Sequence, residues 1–104
     1  MTSLFIPLKR EYFEAFERGE KIAEYRIYTP DDVRCRGPRW NEKTCFIGRP
    51  VVLSCGYGKA RRLRGTINGF AIVNQPMNLK GWAECYGDIG RAAACIGIKL
   101  EARK

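Results

Sequence analysis

The sequence predicts an α+β chain that is mainly β: a small, mostly antiparallel β-barrel of about five or six strands with one or two helices at its mouth. Three observations carry this. Short apolar runs, alternating or continuous, recur along the chain between Gly- and Pro-containing turns. One stretch near the N-terminus has clear helical spacing. No helix-length segment then separates successive strands over the later two thirds, which argues against parallel crossover units there. At 104 residues and 45% apolar content, the chain has the size of one domain, 1–104, with a modest core.

The elements follow in order. Leu4-Phe5-Ile6-Pro7-Leu8 suits a buried strand, with Pro7 placing it at an edge or an end. From Arg10 to Arg18, Tyr12, Phe13 and Phe16 recur at helical spacing, Glu14 precedes Arg18 by four residues, and Gly19 stands where a C-terminal cap belongs. These aromatics are read as core residues. From Ile22 to Tyr28 the pattern alternates, so Ala23, Tyr25 and Ile27 face one way, and Glu24 and Arg26 share the other face about 7 Å apart. Lys21 lies in the preceding turn. Lys21 and Glu24 make either a plain ion pair or, if partly buried, an acid/base pair or a clamp for the polar edge of a base.

Residues 29–48 show neither period and read as a long basic loop, with Arg34, Arg36, Arg39 and Lys43 around Trp40. An aromatic among cations suits single-stranded nucleic acid, bases stacking and phosphates paired. Trp40 is equally a plug that pins the loop to the core. Arg49 to Cys55 is a strand, with Val51, Leu53 and Cys55 on one face, and Gly56-Tyr57-Gly58-Lys59-Ala60 is a turn without phosphate-loop spacing. Extended chain follows from Arg61 to Val73, placing Arg62 and Arg64 together for phosphate contact. Asn68-Gly69 is either a hairpin turn or a bulge in one curved strand. Trp82 to Tyr86 forms a helical turn that lays both aromatics on the core. Ala93 to Glu101 closes the fold, with Ala94, Ile96, Ile98 and Leu100 facing in.

The net charge of +8 is unevenly spread. Residues 34–66 hold nine basic residues against one acidic, a surplus equal to that of the whole chain. Such a concentration points to a polyanion, most simply a nucleic acid, RNA or DNA, or else is a solvated basic surface that aids solubility. Five widely spaced cysteines without a C-x-x-C pair, and no histidine, point to reduced structural thiols, with no metal and no cofactor expected. Without histidine, Ser-His-Asp and Cys-His chemistry are excluded, leaving Lys, carboxylate, Tyr, Ser, Thr or Cys for any catalysis. No stretch approaches a membrane span, and Met1 to Arg10 lacks a signal peptide's apolar run, so a cytoplasmic location away from membranes is expected.

Gly19-Glu20-Lys21-Ile22-Ala23-Glu24-Tyr25-Arg26 resembles the G-x-K-x-x-E-x-R signature of the ASCH (activating signal cointegrator homology) domain, a family with the PUA-like β-barrel fold. The similarity extends to the helix before the signature, Trp40, Gly48-Arg49, Gly56-Tyr57-Gly58 and the closing Ile96-Gly97-Ile98 strand, and is greatest with compact bacterial and phage members. The resemblance implies an RNA- or nucleotide-binding cleft beside the signature. Lys21, Glu24 and Arg26 would line it, Trp40 and Tyr57 would offer stacking faces, and Lys59, Arg61, Arg62 and Arg64 would hold phosphates. Some small relatives are N4-acetylcytidine amidohydrolases with a lysine, a threonine and a glutamate in the site, and another is a ribonuclease. Lys21 matches that lysine, but Glu24 stands where those enzymes have threonine, and Glu84 is only a remote equivalent of their glutamate. A hydrolase of modified nucleosides or RNA, with Lys21 and Glu24 catalytic, is therefore one alternative. A domain that docks an acidic protein partner is the other.

Overall fold

A computed structural model describes residues 2–30, 39–76, 79, 82–86 and 91–101, without the side chains of Ala83 and Glu84. Five strands and two helices run in the order β1 (Leu4–Leu8), α1 (Arg10–Glu17), β2 (Ala23–Ile27), β3 (Pro50–Cys55), β4 (Arg62–Val73), α2 (Trp82–Tyr86) and β5 (Ala93–Leu100). The sheet order is β1-β3-β4-β5-β2. The β1–β3 pair is parallel and the other three pairs are antiparallel, and the sheet curls into a half-barrel. No helix among the described residues is long and apolar enough to cross a membrane.

Alternation along each strand builds one core. Ile6, Leu53, Ile67 and Ile96 point inward from four strands, and Phe13 and Phe16, one helical turn apart on α1, close over them. Each is at most 1% exposed, and such burial contributes on the order of 1.5–3 kcal/mol per side chain. β3 is buried on both faces: Val52 and Ser54 are covered as well as Val51 and Leu53, and the Ser54 hydroxyl donates to the Gly58 carbonyl at 3.0 Å. Asn68-Gly69 is a bulge: the β4–β5 register slips between Ile67 and Gly69, so one long strand bends. Gly65 lets β5 approach, since a Cβ there would lie 2.6 Å from the Lys99 carbonyl oxygen.

Residues 39–48 are fastened to the body of the fold. Trp40 is 7% exposed and belongs to the core, so it is the plug and not an accessible stacking face. Beside it, the buried Asn41 donates to the Thr29 carbonyl at 2.8 Å and accepts from the Lys43 and Thr44 amides, while the Thr29 amide donates to the Trp40 carbonyl at 3.0 Å. The two ends of the excursion are thus fastened together. Arg34 and Arg36 lie outside the described residues.

Candidate functional site: a lysine–glutamate–arginine cluster in an aromatic cleft

The signature stretch is positioned by the end of α1. Gly19 takes φ 77°, its amide donates to the Phe16 carbonyl at 3.0 Å and the Glu20 amide to the Ala15 carbonyl at 2.9 Å, the paired pattern of a glycine-terminated helix. The Lys21 amide adds a third bond to Ala15 O at 3.2 Å. The reversal folds the Lys21 side chain back over the helix it has just left. Its Nζ lies 5.4 Å from the Tyr12 ring centre, 5.5 Å from Phe16 and 5.2 Å from Tyr25, within cation–π range of three rings.

β2 supplies the other two members. Glu24 and Arg26 share a face, as alternation requires, and that face points inward: Glu24 is 7% exposed and pairs in register with Ile96. One carboxylate oxygen accepts from Arg26 Nε at 3.2 Å and a terminal guanidinium nitrogen at 2.9 Å. The other accepts from the Tyr25 amide at 3.1 Å and lies 3.5 Å from Lys21 Nζ. Arg26 then donates to the Pro7 carbonyl at 2.5 Å and stacks 5.0 Å from the Trp40 ring centre. β1 and β2 are the outermost strands of the sheet, so this guanidinium ties its two edges together. Pro7 suits that place, because the missing N–H costs nothing on an open edge.

Around this cluster opens a shallow, half-open cleft lined by Tyr12, Lys21, Glu24, Tyr25, Trp82, Cys85 and Tyr86. The α2 wall is anchored by the buried Trp82, whose ring stacks 4.4 Å from that of Tyr86, and the Tyr12 hydroxyl meets Cys85 Sγ at 3.7 Å. Burial pushes the Tyr86 phenol above its usual pKa, the Glu24 charge adds to this, and Arg26 opposes it. The Tyr25 phenol is likewise raised, by burial first and then by Cys95.

The remaining sequence candidates lie elsewhere. Arg61 is held by Glu14 at 3.4 Å and Glu17 at 2.8 Å and stacks on Phe13, so it braces α1 and does not present a free cation. Tyr57, Lys59, Arg62 and Arg64 are exposed around the β3–β4 turn. Glu84 is in α2, and its side chain lies outside the described residues. Sequence reasoning assigned Tyr12, Trp82 and Tyr86 to the core and did not single out Cys85; all four line the cleft. The i, i+4 spacing of Trp82 and Tyr86 was the available signal. Among the described residues no group of three or more potential metal ligands converges. No protein-family model, curated protein or solved structure matches the chain.

Proposed function

We propose that the protein binds RNA or a nucleotide by placing one base in the cleft beside Lys21. The observation that carries this reading is the fixed Lys21 ammonium, held on the wall of an aromatic cleft by three rings and Glu24. A positioned donor beside ring faces suits a flat heterocycle that has an acceptor on its edge. The surplus of positive charge would draw a polyanion toward it. The resemblance to ASCH domains leads to the same ligand class.

Binding is preferred to hydrolysis because Glu24 already accepts two N–H groups of Arg26 and one of Tyr25, which suits a structural pin better than a base to water. The cleft lining contains no threonine among the described residues. Titration of nucleoside monophosphates and short single-stranded RNA into the wild type and Lys21→Met, followed by calorimetry, tests the proposal. Saturable binding that weakens at least tenfold in Lys21→Met is expected. Equal affinity in the two proteins would overturn it.

A further inference from the structure

The outward face of β1, β3 and β4 carries a second set of cations and rings. The register aligns Phe5, Val52 and Arg64 in one row and Pro7, Ser54 and Arg62 in the next, all on the side away from the core. Lys99 joins them from β5, opposite Thr66. Phe5 is 37% exposed and Tyr57, on the turn after β3, is 84% exposed, with their rings 6.5 Å apart. The Arg62 guanidinium lies 5.4 Å from the Phe5 ring centre. None of Arg62, Arg64 and Lys99 has an ion-pair partner among the described residues, whereas Arg18, Lys21, Arg26 and Arg61 all do. The four strands β1, β3, β4 and β5 contain no Asp or Glu; Glu101, just past β5, is the acidic residue beside this face, its amide donating to the Arg64 carbonyl at 2.9 Å.

We propose that this face is a track for single-stranded nucleic acid, distinct from the cleft, with bases stacking on Tyr57 and Phe5 and phosphates held by Arg62, Arg64 and Lys99. Charge complementarity sets the partner: three cations against the single carboxylate of Glu101 favour a polyanion. Exposed rings next to those charges favour one with unpaired bases over an acidic peptide or a duplex, whose bases are stacked on one another. The proposal rests on the nucleic-acid reading of the cleft for its ligand class, but it uses none of the cleft's residues, which come from α1, α2, β2 and the turn before β2.

The test is fluorescence anisotropy with a labelled oligouridine about ten nucleotides long, within the span of such surfaces. Wild type is compared with Arg62→Gln/Arg64→Gln, Tyr57→Ala and Lys21→Met, at several salt concentrations. Tyr57→Ala is expected to weaken binding between about fivefold and a hundredfold, the effect of losing one stacking partner. The double variant is expected to lower the salt slope by about 1.4, roughly 0.7 for each lost phosphate contact. These side chains are exposed, so their loss leaves the fold intact, as circular dichroism will verify. Wild-type affinity and slope in both face variants overturn the track. If Lys21→Met alone loses binding, the cleft reading stands without it. An oligoglutamate peptide that displaces the oligonucleotide at equal concentration also overturns it, in favour of an acidic protein partner.

Discussion

The Arg26 guanidinium binds the Glu24 carboxylate at 2.9 Å and the Pro7 carbonyl at 2.5 Å, so one side chain both neutralises a buried charge and joins the two outermost strands of the sheet. Between Gly19 and Arg26, therefore, the arginine and the lysine divide the work. Arg26 holds the half-barrel in its curl, while Lys21, on the other side of the same carboxylate, is turned to the cleft.

Arg26→Ala should accordingly be a stability variant. Removing it leaves Glu24 buried with only Lys21 and the Tyr25 amide, and breaking a buried pair in this way costs about 3–5 kcal/mol. Urea unfolding is expected to show this loss, with Arg26→Lys intermediate because one ammonium cannot replace the fork. A loss below 1 kcal/mol, well under that range, would mean the pair is not structural.

Gly19→Ala tests how Lys21 is positioned. At φ 77° a side chain costs about 1–2 kcal/mol, although no atom lies within 4 Å of the added Cβ. The penalty is therefore conformational, and Gly19→Asn should recover part of it because asparagine tolerates this backbone region. Because the turn fixes Lys21, ligand affinity should fall with stability in the alanine variant and recover with it in the asparagine variant. Unfolding and binding curves on the three proteins decide this; alanine and asparagine variants of equal stability would count against the mechanism.

Two thiols, the buried Cys45 and the partly buried Cys95, set an alkaline limit. Burial pushes Cys45 and Cys95 above the usual thiol pKa, with the hydrogen bonds of Thr44 to Cys45 and of Tyr25 to Cys95 opposing the rise. The folded state thus holds these protons more firmly than the unfolded chain. Their contribution to stability is fully present below about pH 8.5, the unfolded value, and is lost as pH rises through the higher folded values. Urea midpoints should fall above that pH, and iodoacetamide should label the exposed Cys85 ahead of Cys45. A midpoint that stays flat to about pH 10, or equal labelling, would contradict this.

Local physics made much of this legible in the sequence. Alternation put Glu24 and Arg26 on one face, Gly19 announced the end of α1, and Phe13 and Phe16 announced its core side. What alternation does not say is which face turns inward. On β2 the charged face does, because Arg26 finds Pro7, which lies 19 residues before it in sequence, and because Trp40 covers the guanidinium. Arg61 looked available for phosphate until the fold brought Glu14 and Glu17 to it across more than 40 residues. Trp40 was open to two readings for the same reason, since only its place in the core chooses between them. The cleft's far wall is likewise tertiary: α2 is a single turn, and nothing local places Trp82 and Tyr86 opposite Tyr12.

The central claim is that a base enters the cleft at Lys21, and Cys85 on the cleft wall reports on it. The rate of Cys85 alkylation should be measured as single-stranded RNA is added, with binding followed in parallel by anisotropy. The account predicts that alkylation slows saturably as RNA binds, and that Lys21→Met needs at least tenfold more RNA for the same protection. RNA that binds while Cys85 reacts at its unprotected rate would contradict it.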